Sequence, residues 1–336
     1  MAFNFKKLIT PIAAAVVATV AFTGCSSIFG GDATPNEVTV VTHDSAVFTK
    51  EVIAEFKKQT GITIKQIKAG DVGAMTNKLI LTKDEPIGDL VYGIDNTFAP
   101  QVRANDMIDG ALEPVDYGDV CFNYDKQWFA SHEQPAPTSI KDLTKPAFKG
   151  LTVITNPRTS SPGLAFLAAT VSMFGNTGWE QYWQALKAND VKISAAWEDA
   201  YFTEFSGSTG KGAYPIVLSY SSSPAYEVRT SGDYAGESQT ASILDGCFRQ
   251  TEYVGVLKHA KNPAAAKKLA LFLINDPFQS TIPETMYMYP ILTSVELPKD
   301  WKEFAPSASN TWGDQLNISA HRLDWMNKWS EIMDVN

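Results

Sequence analysis

Cysteine and histidine are scarce in this chain: three cysteines and four histidines in 336 residues, with no CxxC or HxxxH spacing. Tetrahedral metal sites need such clusters, so neither a catalytic nor a structural metal is expected. Positive charge is also in deficit. The formal net charge is −9, and no basic stripe is present to neutralise phosphates, which argues against nucleic acid as a partner. There is no internal repeat and no long low-complexity run. No nucleophile–base pair accompanies the most polar loops, so no catalytic residue is assigned. What is abundant is apolar: 44% hydrophobic and 11% aromatic residues, the composition of a compact globular chain.

The N-terminus carries Lys6 and Lys7, then an uncharged apolar run from Leu8 to Phe22, then Thr23-Gly24-Cys25. The run is shorter than the ~20 residues that span a bilayer. It has the layout of a secretory signal over residues 1–24. A cysteine directly after a small residue resembles a bacterial lipobox, which makes Cys25 the expected lipidation site and membrane anchor. Residues 25–36 then read as a lipidated tether. Such a signal implies an oxidising exterior, where Cys121 and Cys247 are expected to form a disulfide rather than reactive thiols. Roughly 300 residues remain for the folded body, enough for two lobes at ~100–200 residues each.

Strand-like runs at 37–42, 62–67, 89–92, 151–155 and 216–219 alternate with helical patterns at 47–56, 74–81, 164–174, 179–187 and 263–273. Asp44 or Ser45 is a candidate cap for the first helix. The alternation predicts an α/β fold with parallel strands and helical crossovers. Ligands of such sheets gather beyond the strand C-termini, where His43, Asp71 and Asp95 fall. Two extended crossings, 117–124 and 247–257, suggest two lobes exchanging strands through a double hinge. Lobe one is assigned 37–118 and 249–300, lobe two 119–248, and a C-terminal helical segment 301–336.

Three loops are built for a small molecule. The run VLSYSSSPAY (217–226) leaves a buried strand for three hydroxyls flanked by tyrosines and stiffened by proline. NPRTSSPG (156–163) and AWEDAY (196–201) are similar in kind. Together they predict a polar and aromatic cleft.

These loops, with THDS (42–45), GIDN (93–96), DYG (116–118) and MYP (288–290), carry a resemblance over most of residues 37–300. The chain resembles the thiamine-binding solute-binding lipoproteins of ABC importers. That family implies a two-lobed periplasmic-binding-protein-like (type II) fold with a double crossover hinge. It implies no cofactor, a monomer on the outer face of the cell membrane or in the periplasm, and an ABC permease as partner. Thiamine or a thiamine phosphate is the implied ligand. Position by position, the resemblance implies ligand contacts at Asp71, Val72, Ser160, Ser161, Trp197, Tyr220, Ser221, Ser222, Ser223 and Tyr226. His43 stands where a tyrosine is common and Tyr287 where a tryptophan is common; both join the set, and so does Asp95 from its strand end. Tyr faces suit the thiazolium cation, a carboxylate such as Asp71 suits the aminopyrimidine, and amides after Ser161 suit a phosphate.

Two rival functions share this scaffold. A thiaminase-like enzyme would use Cys121 as nucleophile, and a binder of ferric iron or another small solute would use tyrosines 220 and 226 with His43.

Overall fold

The computed structural model describes residues 36–209, 211–228, 230, 235–313 and 315–335. The expected signal (1–24), the expected lipidation site Cys25 and the expected tether up to residue 35 lie outside the described residues.

Among the described residues, nine strands form one mixed sheet: β1 Glu37–Thr42, β2 Thr63–Lys68, β3 Leu90–Asp95, β4 Glu113–Asp125, β5 Thr152–Thr155, β6 Lys192–Ser194, β7 Ile216–Tyr220, β8 Thr240–Val256 and β9 Tyr289–Pro290. Their order is β2-β1-β3-β8-β4-β7-β5-β6, with β9 added on β4. β1 pairs in parallel with β2 and β3, and β5 in parallel with β6 and β7. Between these two parallel halves run the two longest strands, β4 of 13 residues and β8 of 17, paired antiparallel from Glu113↔Val254 to Asp125↔Thr240. These are the two extended crossings expected from the sequence. β8 begins earlier than its apolar pattern suggests. The ladder runs on to the N-terminal side of Cys247, where Ile243, Ser242 and Thr240 still pair with β4.

Period-2 alternation sends neighbouring side chains to opposite faces. Val40, Leu90 and Tyr92 pack in one cluster with Phe56 of helix α1 (Lys50–Thr60) and with Leu269 and Phe272 of a second helix. Val41 and Val91 pack in another with Met75 and Leu79 of α2 (Val72–Leu81). That cluster continues through Phe122 and Phe166 to Trp329. Phe166 belongs to α3 (Ser161–Ala188), which bends at Gly175 into the two helical stretches expected. The second helix of the first cluster is α4 (Pro263–Leu273), and Trp329 lies on α5 (Ile318–Met333).

Two helix starts differ from the sequence reading. α1 is capped by Thr49, whose hydroxyl accepts from the Val52 amide, so Val47 and Phe48 precede the helix. Asp44 instead accepts from the Gly70 amide at 2.9 Å and ties two loops together. α2 begins at Val72 because Asp71 caps it. Among the described residues, no helix is long and apolar enough to cross a membrane.

Candidate functional site

A cavity of about 390 Å³ opens where the ends of the strands from the two sheet halves meet. His43 leaves the end of β1, Asp71 and Val72 start α2, and Ser161 starts α3. Trp197 comes from the loop after β6, Tyr220, Ser223 and Tyr226 from β7 and the turn after it, and Tyr287 from the segment before β9. These nine expected residues all line the cavity. Asp95, Ser160, Ser221 and Ser222 do not.

Each of those four has another position. Asp95 is buried, and one carboxylate oxygen accepts from the Thr97 amide and hydroxyl. Burial pushes its carboxyl up to about 6, against those Thr97 bonds. Ser160 is fully buried at the N-cap position of α3, with its side chain against the Asp71 carboxylate. Ser221 is buried, with its amide donating to the Asp119 carbonyl. Ser222 donates its hydroxyl to the Tyr287 carbonyl at 2.6 Å, which fixes a backbone held at φ 52. Ser222 therefore acts on the cavity through Tyr287.

His43 lies against Glu252, with Nε2 3.3 Å from the carboxylate. Burial lowers the imidazole, but the charge and hydrogen bond of Glu252, with the charges of Asp71 and Asp116, outweigh it and raise His43 to about 9. The ring is thus an imidazolium at neutral pH. Its seat depends on Gly93, at φ 96: a Cβ there would fall 2.2 Å from His43 Cδ2. Asp116 accepts from the Tyr92 hydroxyl, and burial together with the Glu252 charge pushes its carboxyl well above the usual range.

Asp71 is engaged by backbone on both oxygens. Oδ1 accepts from the Val72 amide at 2.6 Å and the Ser161 amide at 3.4 Å, and Oδ2 accepts from the Trp197 amide at 3.0 Å. One carboxylate therefore joins α2 in the first half to α3 and the Trp197 loop in the second. Burial raises its pKa, opposed chiefly by the Trp197 bond. Beside it, the Gly73 and Ala74 amides donate to the Thr159 carbonyl at 3.0 and 3.3 Å.

Trp197 is half-buried. Its indole N–H donates to Ser219 at 2.9 Å and one face stacks on Tyr201, with centroids 5.0 Å apart. Tyr220 meets its edge at 6.1 Å and hydrogen-bonds Gln250 through its hydroxyl. Tyr226 and Tyr287 meet edge to face at 5.0 Å. Arg158 turns away: its guanidinium donates to Ser330 and Asn327 of α5.

Five carboxylates line the cavity, from Asp44, Asp71, Glu198, Asp199 and Glu252, against Lys68 and His43. Sequence reading missed Glu252 and Glu198. A signal for Glu252 exists: it shares strand parity with Val254 and Val256, so it faces the same side as the buried apolar cluster. Glu198, which accepts from the Ser45 hydroxyl at 3.1 Å, carries no such pattern. Cys121 and Cys247 are disulfide-bonded, so Cys121 offers no thiolate. The side chains of the iron reading do not converge, since Tyr220 bonds Gln250, Tyr226 packs on Tyr287 and His43 pairs with Glu252. No metal-binding group of three or more His, Cys, Asp or Glu residues is found among the described residues.

A mixed sheet split by two long antiparallel strands, with an acidic and aromatic cavity where its halves meet, defines a solute-binding architecture. The chain belongs to the bacterial extracellular solute-binding protein family, whose model matches residues 89–316. It is 29% identical over 319 residues to the thiamine-binding periplasmic protein of Salmonella typhimurium, covering 88% of this chain and 93% of that one. Among solved structures it is similar to a periplasmic thiamin binding protein, at 24% identity and TM-score 0.76, over 92% of this chain and 99% of that one. It is also similar to the apo ferric ion-binding protein A of Pasteurella haemolytica, at 17% identity and TM-score 0.70, over 90% and 99%. The fold is the two-lobed, type II periplasmic-binding-protein fold.

Proposed function

We propose that this chain is the extracytoplasmic substrate-binding component of an ABC importer and that its ligand is thiamine. The observation that carries the reading is the lining of the cavity: five carboxylates beside Trp197, Tyr220, Tyr226 and Tyr287. A thiazolium cation is attracted both to acidic charge and to aromatic faces, with ~2 kcal/mol or more per face when desolvated. The relatives named thiamine-binding support the same ligand.

His43, Asp71, Val72, Ser161, Trp197, Tyr220, Ser223, Tyr226 and Tyr287 form the contact set in this reading, and Glu252 joins it. Residues 37–118 with 249–300 move as one lobe and 119–248 as the other. Ligand favours the closed arrangement because it touches both only there. Cys25 carries the lipid that keeps the monomer at the membrane beside its permease. The disulfide at Cys121 favours binding over a thiol-dependent reaction on the same scaffold.

Isothermal calorimetry of the purified protein tests the reading. Thiamine should bind with one site per chain and ferric iron should give no heat. Tyr226→Ala should weaken thiamine by about tenfold, with little change in the melting temperature of the empty protein because Tyr226 is 47% exposed. Iron binding without thiamine binding would overturn it.

A further inference from the structure

The cavity contains a cation of its own, and a positively charged ligand has to share the site with it. We propose that His43 is a displaceable cation: thiamine takes over the balancing of Glu252, and each molecule bound expels one proton from the imidazole ring to solvent, an exchange that rests on the thiamine reading above.

Glu252 lies on β8 with both carboxylate oxygens engaged. Oε1 accepts from the Gln250 side-chain amide at 3.2 Å, and Oε2 meets His43 Nε2 at 3.3 Å. The amide is neutral, so the positive charge paired with this buried carboxylate is the imidazolium. Further carboxylates face the ring from other elements, Asp71 from the start of α2 and Asp116 from β4. Tyr92 of β3 sets its ring 6.4 Å from the imidazole and donates its hydroxyl to Asp116. Lys68, at the end of β2, also lines the cavity, but its ammonium donates to the Asp44 carbonyl. Taking the proton from His43 in the empty site would leave Glu252 buried without its cation, which is costly away from water.

The two ring nitrogens stand in different settings. Nε2 is committed to Glu252, whereas Nδ1 makes no hydrogen bond among the described residues, and the ring lines the cavity. Nε2–H can therefore stay on Glu252 while the Nδ1 proton leaves, and no side chain has to move. A site of about 390 Å³ keeps a bound thiazolium close to both His43 and Glu252. Two positive charges at such separations repel enough to weaken proton binding about tenfold or more. The carboxylate then balances the thiazolium instead. One cation enters, one proton leaves, and the net charge of the site is unchanged. Affinity rises with pH as a consequence, because a low proton concentration favours the exchanged state.

Calorimetry of the full chain with thiamine at pH 8, where the empty ring is charged, counts the protons when repeated in buffers of low and high ionisation enthalpy. About half a proton to one proton should be released per thiamine, and the association constant should rise about tenfold between pH 7 and pH 9. His43→Gln should release close to none, with an affinity that stays level over the same range. In the unaltered protein, the nuclear magnetic resonance signals of the His43 ring should move from the imidazolium to the neutral position when thiamine is added at pH 8, a readout independent of the variant. No release, or proton uptake, by the unaltered protein would overturn the exchange and leave the thiamine reading standing. Release that persists undiminished in His43→Gln, or a ring that stays charged with ligand bound, would overturn the assignment to His43 and point to Asp116. Absence of heat with thiamine in every buffer would overturn both readings.

Discussion

His43 carries a charge where a lone loop histidine would ordinarily be neutral. Glu252 supplies the cause, and the pair is nearly dry, with His43 8% exposed and Glu252 3%. A group whose folded pKa is raised contributes stability that is fully present below its unfolded value of about 6.5 and is lost as pH rises through the folded value. With His43 raised to about 9, the loss falls between about pH 6.5 and 9. It amounts to something on the order of 3 kcal/mol. Asp95, raised to about 6 by burial, has the same sign at lower pH: its contribution diminishes as pH rises from about 4 through 6. Urea denaturation of the unliganded protein from pH 6 to pH 10 should therefore show falling stability, and His43→Gln should flatten the alkaline part of that fall. Parallel curves for the two proteins would remove the His43–Glu252 pair from the account. At this scale the sequence placed His43 at a strand end, and the structure puts it in the lining of the cavity. It was silent on Glu252, because the two residues lie 209 positions apart and meet only through the pairing of β3 with β8.

The start of α2 shows what an element boundary can do. Asp71, Val72 and Gly73 read as a loop, since glycine and aspartate are turn residues. The structure turns them into a cap and a first helical turn, because the Asp71 carboxylate satisfies amides that a helix start leaves open. Gly73 then lies flat against the loop that precedes α3: a Cβ there would fall 2.7 Å from the Arg158 carbonyl oxygen and 2.7 Å from the Thr159 carbonyl. Neither backbone atom can move without shifting the loop. Gly73→Ala should separate α2 from residues 158–159, with a cost typical of overpacking, about 1–3 kcal/mol. The expected result is a loss of thiamine affinity of about tenfold, with the far-ultraviolet circular dichroism spectrum unchanged and a larger radius of gyration by solution scattering in the presence of ligand. Unchanged affinity and radius would show that this contact does not hold the halves together.

Across the whole molecule, β4 and β8 connect the two parallel halves, and their midpoints are fastened twice. Cys121 and Cys247 form a disulfide, and next to them Asp119 and Arg249 face each other in the ladder and are joined by two hydrogen bonds, at 2.7 and 3.0 Å. The disulfide closes a loop spanning 126 positions, so reduction releases a large amount of chain entropy in the unfolded state. Removing it by Cys121→Ala with Cys247→Ala should lower the melting temperature by roughly 5–15 °C. Peptide mapping of the unreduced, denatured protein with an alkylating reagent should leave both cysteines unlabelled. Labelling of Cys121 in the folded, oxidised protein would restore the thiol-based rival.

Local pattern decided much of this protein. Alternation and helical spacing identified five of the six parallel strands, all but the three-residue β6, together with the crossover helices and the two long crossings. The residue types of three loops identified an aromatic and hydroxyl-rich cleft, and motif order pointed to the family. Those are properties of neighbours in the chain, which is why they are visible there. Tertiary structure alone decided which hydroxyls face the cavity, that Asp71 serves backbone amides from both halves, and that Glu252 stands beside His43. Those outcomes depend on strand register and on burial of charge between residues far apart, and no local period encodes either.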